Sequence, residues 1–130
     1  MALRSRDLAL VAVGGALGAI SRYAVGTAVP HSGAGWPWAT FSVNAIASLL
    51  IGVLAGWAYW RHSAHWVRPL VMSGFLGGFS TYSTFAVDTI ALAAAGSGGL
   101  AAAYVIVTLV ACVGAVGLGT VVAQRLWQQQ

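Results

Sequence analysis

The chain has 130 residues, 59% of them hydrophobic and 6% charged, with six Lys+Arg against two Asp+Glu and a net charge of +4. A soluble domain is about 25% charged, so this composition excludes a soluble surface, and it excludes disorder, which requires a chain poor in apolar residues. A membrane span needs roughly 20 apolar residues, so four spans use about 80 and leave about 50 for ends and loops. No soluble catalytic domain fits in that remainder, and the reading is a single membrane domain over residues 1–130 that is not an enzyme. The basic balance rests on six Arg and no Lys. They are scattered, which points to membrane orientation and anionic headgroups and not to nucleic acid. Cys112 is the sole cysteine, so there is no internal disulfide and no cysteine metal cage.

Four apolar stretches follow one another along the chain. The first is roughly Leu8 to Val29, behind Arg4, Arg6 and Asp7. A cleaved signal peptide shares the basic start, but this stretch is longer than such segments and holds Arg22. A turn-rich loop from Pro30 to Pro37 leads to the second stretch, about Trp38 to Trp60. Trp36, Trp38, Trp57 and Trp60 gather at its two ends. A helix rises about 28 Å from Trp38 to Trp57, close to the hydrocarbon thickness, so the pattern is an aromatic belt at both interfaces. A short polar loop from Arg61 to Arg68 carries His62, His65 and Trp66. The third stretch starts at Pro69, a good first helical residue, and reaches about Ala95. The turn Gly96-Ser97-Gly98-Gly99 leads to the last stretch, about Leu100 to Ala123. Arg4, Arg6, Arg61, Arg68 and Arg125 all fall on the side that holds both termini, and the opposite loops carry no Arg or Lys. The positive-inside rule then places both termini in the cytoplasm of a multi-pass protein of the cell inner membrane or plasma membrane.

Polar residues inside the spans carry the functional signal, because they are costly in lipid. Arg22 and Asp88 sit at similar depth in two spans that run the same way, and are expected to pair or to form an electropositive vestibule for an anion. The third stretch reads Gly74-Phe75-Leu76-Gly77-Gly78-Phe79-Ser80-Thr81-Tyr82-Ser83-Thr84-Phe85. A helix from Pro69 to Ala95 would be about 40 Å long, too long for an untilted span, and its middle is poor in helix formers. A break near Gly77 to Ser80 is expected. Such a break exposes carbonyls that suit a hard cation such as Na⁺, and N–H groups that suit an anion. Glycines alone also suit close helix packing, but Ser80, Thr81, Ser83 and Thr84 beside them point to an ion site. Thr40, Asn44 and Ser48 share one face of the second stretch, and Tyr104, Thr108 and Cys112 one face of the fourth. Two polar stripes beside a broken helix imply a narrow polar pathway. Four short helices hardly enclose one, so they imply a partner subunit. Gly14-Gly15-Ala16-Leu17-Gly18-Ala19 gives the first stretch a face for close packing.

These segments together resemble the CrcB/Fluc family of fluoride channels. The likeness spans nearly the whole chain. It rests on Gly14 to Ala19 with Arg22-Tyr23, on Thr40-Phe41-Ser42-Val43-Asn44, and on Gly74 to Phe85, the most specific of the three. The resemblance implies an all-α, four-span subunit with a broken third helix, assembled as an antiparallel, dual-topology dimer with two fluoride pores. It implies a structural, non-transported Na⁺ held by the main-chain carbonyls of Gly77 and Ser80. Pore aromatics map to Tyr82 and Phe85, the pore asparagine to Asn44, the basic vestibule residue to Arg22, and the hydroxyl track to Tyr104, Thr108 and Cys112. Thr40, Ser83 and Thr84 complete the polar lining. The chain departs from the family pattern at Tyr82, where phenylalanine is usual, at Cys112, which replaces a hydroxyl with a weaker donor, and at Ala47, which replaces a common glycine.

The function so expected is passive, fluoride-selective export that lowers cytoplasmic fluoride. A small four-span multidrug exporter is the alternative of another class, but it needs a carboxylate in its first span, and Leu8 to Val29 has none. A non-transporting assembly subunit would not need the polar stripes. The loop bias of five Arg to none also conflicts with dual topology, so the dimer is either a homodimer that overrides the charge rule or a heterodimer with a homologous chain of opposite bias.

Overall fold

A computed structural model describes residues 5–30, 35–60 and 65–127, leaving out the side chain of Trp60. The expectations placed on Arg4, on His31 to Ala34, on Arg61 and on His62 lie outside the described residues. All regular structure among the described residues is helical: α1 (Ser5–Ala28), α2 (Trp38–Trp60), α3 (Arg68–Leu76 followed by Gly77–Phe79), α4 (Tyr82–Ala94) and α5 (Gly98–Trp127). Four segments are long and apolar enough to cross a membrane, with α3 and α4 together forming one of them. The protein is therefore an all-helical, multi-pass membrane protein.

The helices close their ends with local chemistry. In α3 the residues Arg68–Leu76 are wound as a π-helix with Pro69 in its first turn, where its missing N–H costs no intrahelical bond. The chain returns to α-helix over Gly77–Phe79 and then extends at Ser80 (φ −71°, ψ 158°) and Thr81 (φ −149°, ψ 123°). Thr81 caps α4, its Oγ1 accepting the Thr84 N–H at 3.1 Å. α4 stops where Gly96 takes φ +78°, the left-handed conformation that glycine adopts without steric cost. The Ser97 N–H then reaches back to the Leu92 carbonyl at 3.0 Å and the Gly96 N–H to Ala93 at 3.1 Å, so two carbonyls of the last turn keep donors.

Packing runs in two main seams, α1 against α3 and α2 against α5, with α4 also laid on α5. Lipid tails are as apolar as leucine, so close backbone approach, and not hydrophobic exclusion of water, must hold helices together. The α1–α3 seam shows how. A methyl added at Gly14 would run into the Leu70 carbonyl oxygen, one at Gly18 into that of Phe75, and one at Gly78 into that of Gly15. The small-residue face read in the sequence is thus buried against α3. Leu8, Val13, Leu17 and Ile20 remain exposed on α1, and Val110 and Val113 on α5. The core around the polar residues splits in two, one cluster of Phe85, Leu92, Ala101 and Tyr104 between α4 and α5, the other of Val43, Ala47 and Phe79 between α2 and α3. Gly18→Ala should lower stability by about 1–3 kcal/mol, the usual cost of overpacking, while Gly117→Ala, with open space around the added carbon, should stay within about 0.5 kcal/mol. Thermal unfolding of the two variants in detergent, followed by circular dichroism, checks this pair.

Candidate functional site

Two extended residues between α3 and α4 leave backbone groups that a continuous helix would have paired. The Thr81 N–H would have gone to the Gly77 carbonyl, four residues back. It goes instead to Asn44 Oδ1 at 2.8 Å, and Asn44 Nδ2 donates to the Thr81 carbonyl at 2.9 Å. The Thr84 N–H would have gone to the Ser80 carbonyl. It goes instead to Thr81 Oγ1. The Gly77 and Ser80 carbonyls therefore lose their helical donors, each because a named side chain takes that donor. Gly77 has nothing within 4 Å of the position a side chain would occupy, and it lines an open hollow of about 210 Å³ together with Ser80, Ser48 and Met72. The Ser80 N–H and Oγ both still donate to the Leu76 carbonyl at 2.9 Å, so the helical bonding reaches the first residue of the gap.

Beside the gap lies a second open pocket of about 240 Å³, lined by Asn44, Tyr82, Phe85, Thr108 and Cys112 among others. Five of the expected pore residues thus converge on one space from α2, α4 and α5. Tyr82 is 81% exposed and Phe85 only 9%, with ring centroids 6.0 Å apart. A residue so exposed at the middle of a span is either against lipid or against another subunit. Tyr104 is fully buried, its ring tilted at 41° to the Phe85 ring with centroids 5.2 Å apart; its hydroxyl lies near Thr40 without a well-formed hydrogen bond, and the Thr108 hydroxyl has no hydrogen-bond partner. Arg22, Thr40 and Thr84 line a third and larger cavity of about 560 Å³, between α1, α2 and α4. Ser83 is exposed, its hydroxyl 3.3 Å from Thr81 Oγ1.

One sequence expectation changes here. Arg22 and Asp88 take different partners: Arg22 Nη1 donates to the Ser80 carbonyl at 3.2 Å, and Asp88 Oδ2 accepts the Thr40 hydroxyl at 2.6 Å. Equal depth in two helices does not set which way each side chain turns. Asn44 meets the need of a buried amide for partners by spending its carbonyl and one of its two N–H bonds on Thr81, which leaves one donor. Thr40 likewise gives its hydroxyl hydrogen to Asp88 and keeps only acceptor capacity for the pocket. In the sequence Thr81 reads only as one of the hydroxyl residues pointing to an ion site; that it caps α4 and ties the gap to α2 is not foreseen there, although a threonine directly before a helical run is a capping signal.

A family profile described as CrcB-like protein, camphor resistance (CrcB), matches residues 9–120. The chain belongs to the CrcB family. The chain is 42% identical over 114 residues to a protein of Novosphingobium aromaticivorans named fluoride-specific ion channel FluC, covering 85% of this chain and 90% of that protein. It is 43% identical over 111 residues to a FluC of Rhodospirillum centenum, covering 84% and 88%. It is 40% identical over 122 residues to FluC 1 of Mycobacterium bovis, covering 93% and 92%. The CrcB match takes in the whole of α2, α3 and α4, so every residue of the gap and of its Asn44 clamp lies within the family region. Asn44→Leu removes both hydrogen bonds to Thr81, each worth about 0.6–1 kcal/mol between membrane helices. Thermal unfolding in detergent should register a loss of about 1–2 kcal/mol; an unchanged midpoint would mean that the clamp contributes nothing.

Proposed function

We propose that this chain is a subunit of a fluoride-selective channel that lets fluoride leave the cell down its gradient, and that it acts as a passive pore and not as an enzyme. The observation that carries the reading is the gap at Ser80 and Thr81, where carbonyls, those of Gly77 and Ser80 among them, lose their helical donors next to a pocket shared by Asn44, Phe85, Thr108 and Cys112. The names of the relatives support it.

The chemistry is coherent from below. Fluoride is small and strongly hydrated, so passage through a dry constriction requires substitutes for its water. One strong positive site would trap it, whereas several weak donors in series permit both entry and exit. The remaining N–H of Asn44, the Tyr104 and Thr108 hydroxyls, the Cys112 thiol and the positive ring edges of Tyr82 and Phe85 are such donors. Arg22, in the wide cavity, raises the local anion concentration at the entrance. Thr40, Ser83 and Thr84 contribute polar lining.

The interrupted third span also fits a structural Na⁺. The donor set is uncharged and hard: the carbonyl oxygens of Gly77 and Ser80, with no acidic cluster among the described residues. Two carbonyls are too few for a complete shell, so the site calls for the same pair from a second subunit. Ser80 shares its carbonyl with Arg22, and the second lone pair of that oxygen remains for the cation. When bound, Na⁺ would supply a fixed positive field near the pathway without moving through it.

An antiparallel dimer gives the exposed Tyr82 a partner surface and completes the carbonyl set. The charge asymmetry of the loops favours a second form of it, a heterodimer with a homologous chain of opposite bias. Fluoride efflux from liposomes holding the purified chain, read with a fluoride electrode in Na⁺ buffer and with chloride as control, tests the whole proposal. Fluoride flux without chloride flux from this chain alone is the expected result, and Asn44→Asp should nearly stop it, since an ionised carboxylate has no donor and repels the anion. Flux only after co-expression with a second chain would make the protein an obligate heterodimer subunit. No flux from a folded dimer in either case would discard the channel.

A further inference from the structure

Among the described residues the buried side-chain polar atoms without a well-formed hydrogen bond are Trp36 Nε1, Tyr104 Oη, which has Thr40 nearby, and Thr108 Oγ1. They are not scattered. Tyr104 and Thr108 stand one turn apart on the same face of α5. The Trp36 ring meets the Tyr104 ring edge-on, centroids 5.4 Å apart and planes at 89°. The groups therefore form a line that starts at Thr108 in the Asn44–Phe85 pocket, passes Tyr104, and ends at Trp36 just before α2 begins. That end is the one the arginine-free loops share.

Trp36 is not a belt residue of the ordinary kind. An interfacial tryptophan keeps its N–H in water or among headgroups, as the 57% exposed neighbour Trp38 is free to do. The Trp36 nitrogen is closed off instead, packed with Phe41, Leu100 and Val105 against the Phe85–Tyr104 core. An indole N–H only donates. A buried donor without an acceptor costs about 1–3 kcal/mol, so its position is tolerable where an acceptor arrives. The aromatic faces around it are only weak acceptors of an N–H. Fluoride is the smallest and strongest acceptor among the halides.

We propose that the Trp36 indole N–H is the outermost fluoride donor of the pathway, handing the ion to or from the Tyr104 hydroxyl. The inference rests on the fluoride-channel reading and assigns the mouth of that same route. Trp36→Phe keeps an aromatic ring and removes the donor. In liposomes it should lower fluoride efflux about tenfold, which is the effect of about 1.4 kcal/mol, and Trp36→His, which restores a ring N–H, should recover part of the loss. In ¹⁵N-indole spectra of the wild-type channel, the tryptophan signal missing from Trp36→Phe should move downfield with fluoride and stay fixed with chloride. Where Trp36→Phe does not fold, Trp→Phe changes at the other five of the six tryptophans assign the signal by elimination. Wild-type efflux in folded Trp36→Phe, or a Trp36 signal indifferent to fluoride, would overturn the proposal. Wild-type protein measured in the same run separates the two claims: absence of fluoride flux there, both alone and co-expressed with a second homologous chain, removes the channel reading itself, whereas robust wild-type flux with an indifferent Trp36 removes this inference alone.

Discussion

The arrangement depends on one reciprocal contact, the pair of hydrogen bonds between the Asn44 side chain and the Thr81 backbone. In lipid no water is at hand to satisfy an exposed peptide group, so a span leaves helical geometry only where protein supplies replacement partners. Asn44 supplies both a donor and an acceptor from α2. With the Thr81 N–H and carbonyl so held, the chain extends for two residues, Thr81 Oγ1 turns to cap α4, and the Gly77 and Ser80 carbonyls are left without their usual donors. A single amide on a neighbouring helix thus converts an apolar segment into one with exposed dipoles at mid-membrane.

The glycine seams make that contact possible. Because α1 lies so close to α3 that Gly14, Gly18 and Gly78 admit no side chain, the first half of the third span is clamped on one side. α2 and α5 are joined the same way through Gly52 and Gly119, whose added methyls would meet the Val116 and Leu49 carbonyl oxygens. The rigid pairs hold Asn44 and Thr81 in reach, and they also set Tyr104 on α5 against Phe85 on α4. Packing, which in a bilayer comes from shape and not from expelled water, is what fixes the polar geometry.

Much of this is legible in the sequence, for identifiable reasons. The apolar stretches are plain because the bilayer demands uninterrupted runs of a set length. The run from Gly74 to Phe85 announces itself through glycines and hydroxyls that helices avoid. What escapes is rotation and pairing. Arg22 and Asp88 match in depth, yet Arg22 turns to a main-chain carbonyl and Asp88 takes the Thr40 hydroxyl, because periodicity places a residue along an axis and leaves its partner open. The π-winding of Arg68–Leu76 has no counterpart in propensities that compare α-helix with everything else. Trp36 reads as an interfacial belt residue until its nitrogen is seen to be enclosed beside Tyr104.

The central claim is that Asn44, and not the Gly77 carbonyl, is what holds the Thr81 N–H at the gap. Amide hydrogen exchange at Thr81 tests it most directly, compared between wild type and Asn44→Ala in the same lipid nanodiscs. The account predicts a protected Thr81 amide in the wild type that exchanges fast in Asn44→Ala, while the amides of α1 and of Arg68–Leu76 keep their protection. A Thr81 amide equally protected in both proteins would mean that it bonds to the Gly77 carbonyl in a continuous helix, and would contradict the account.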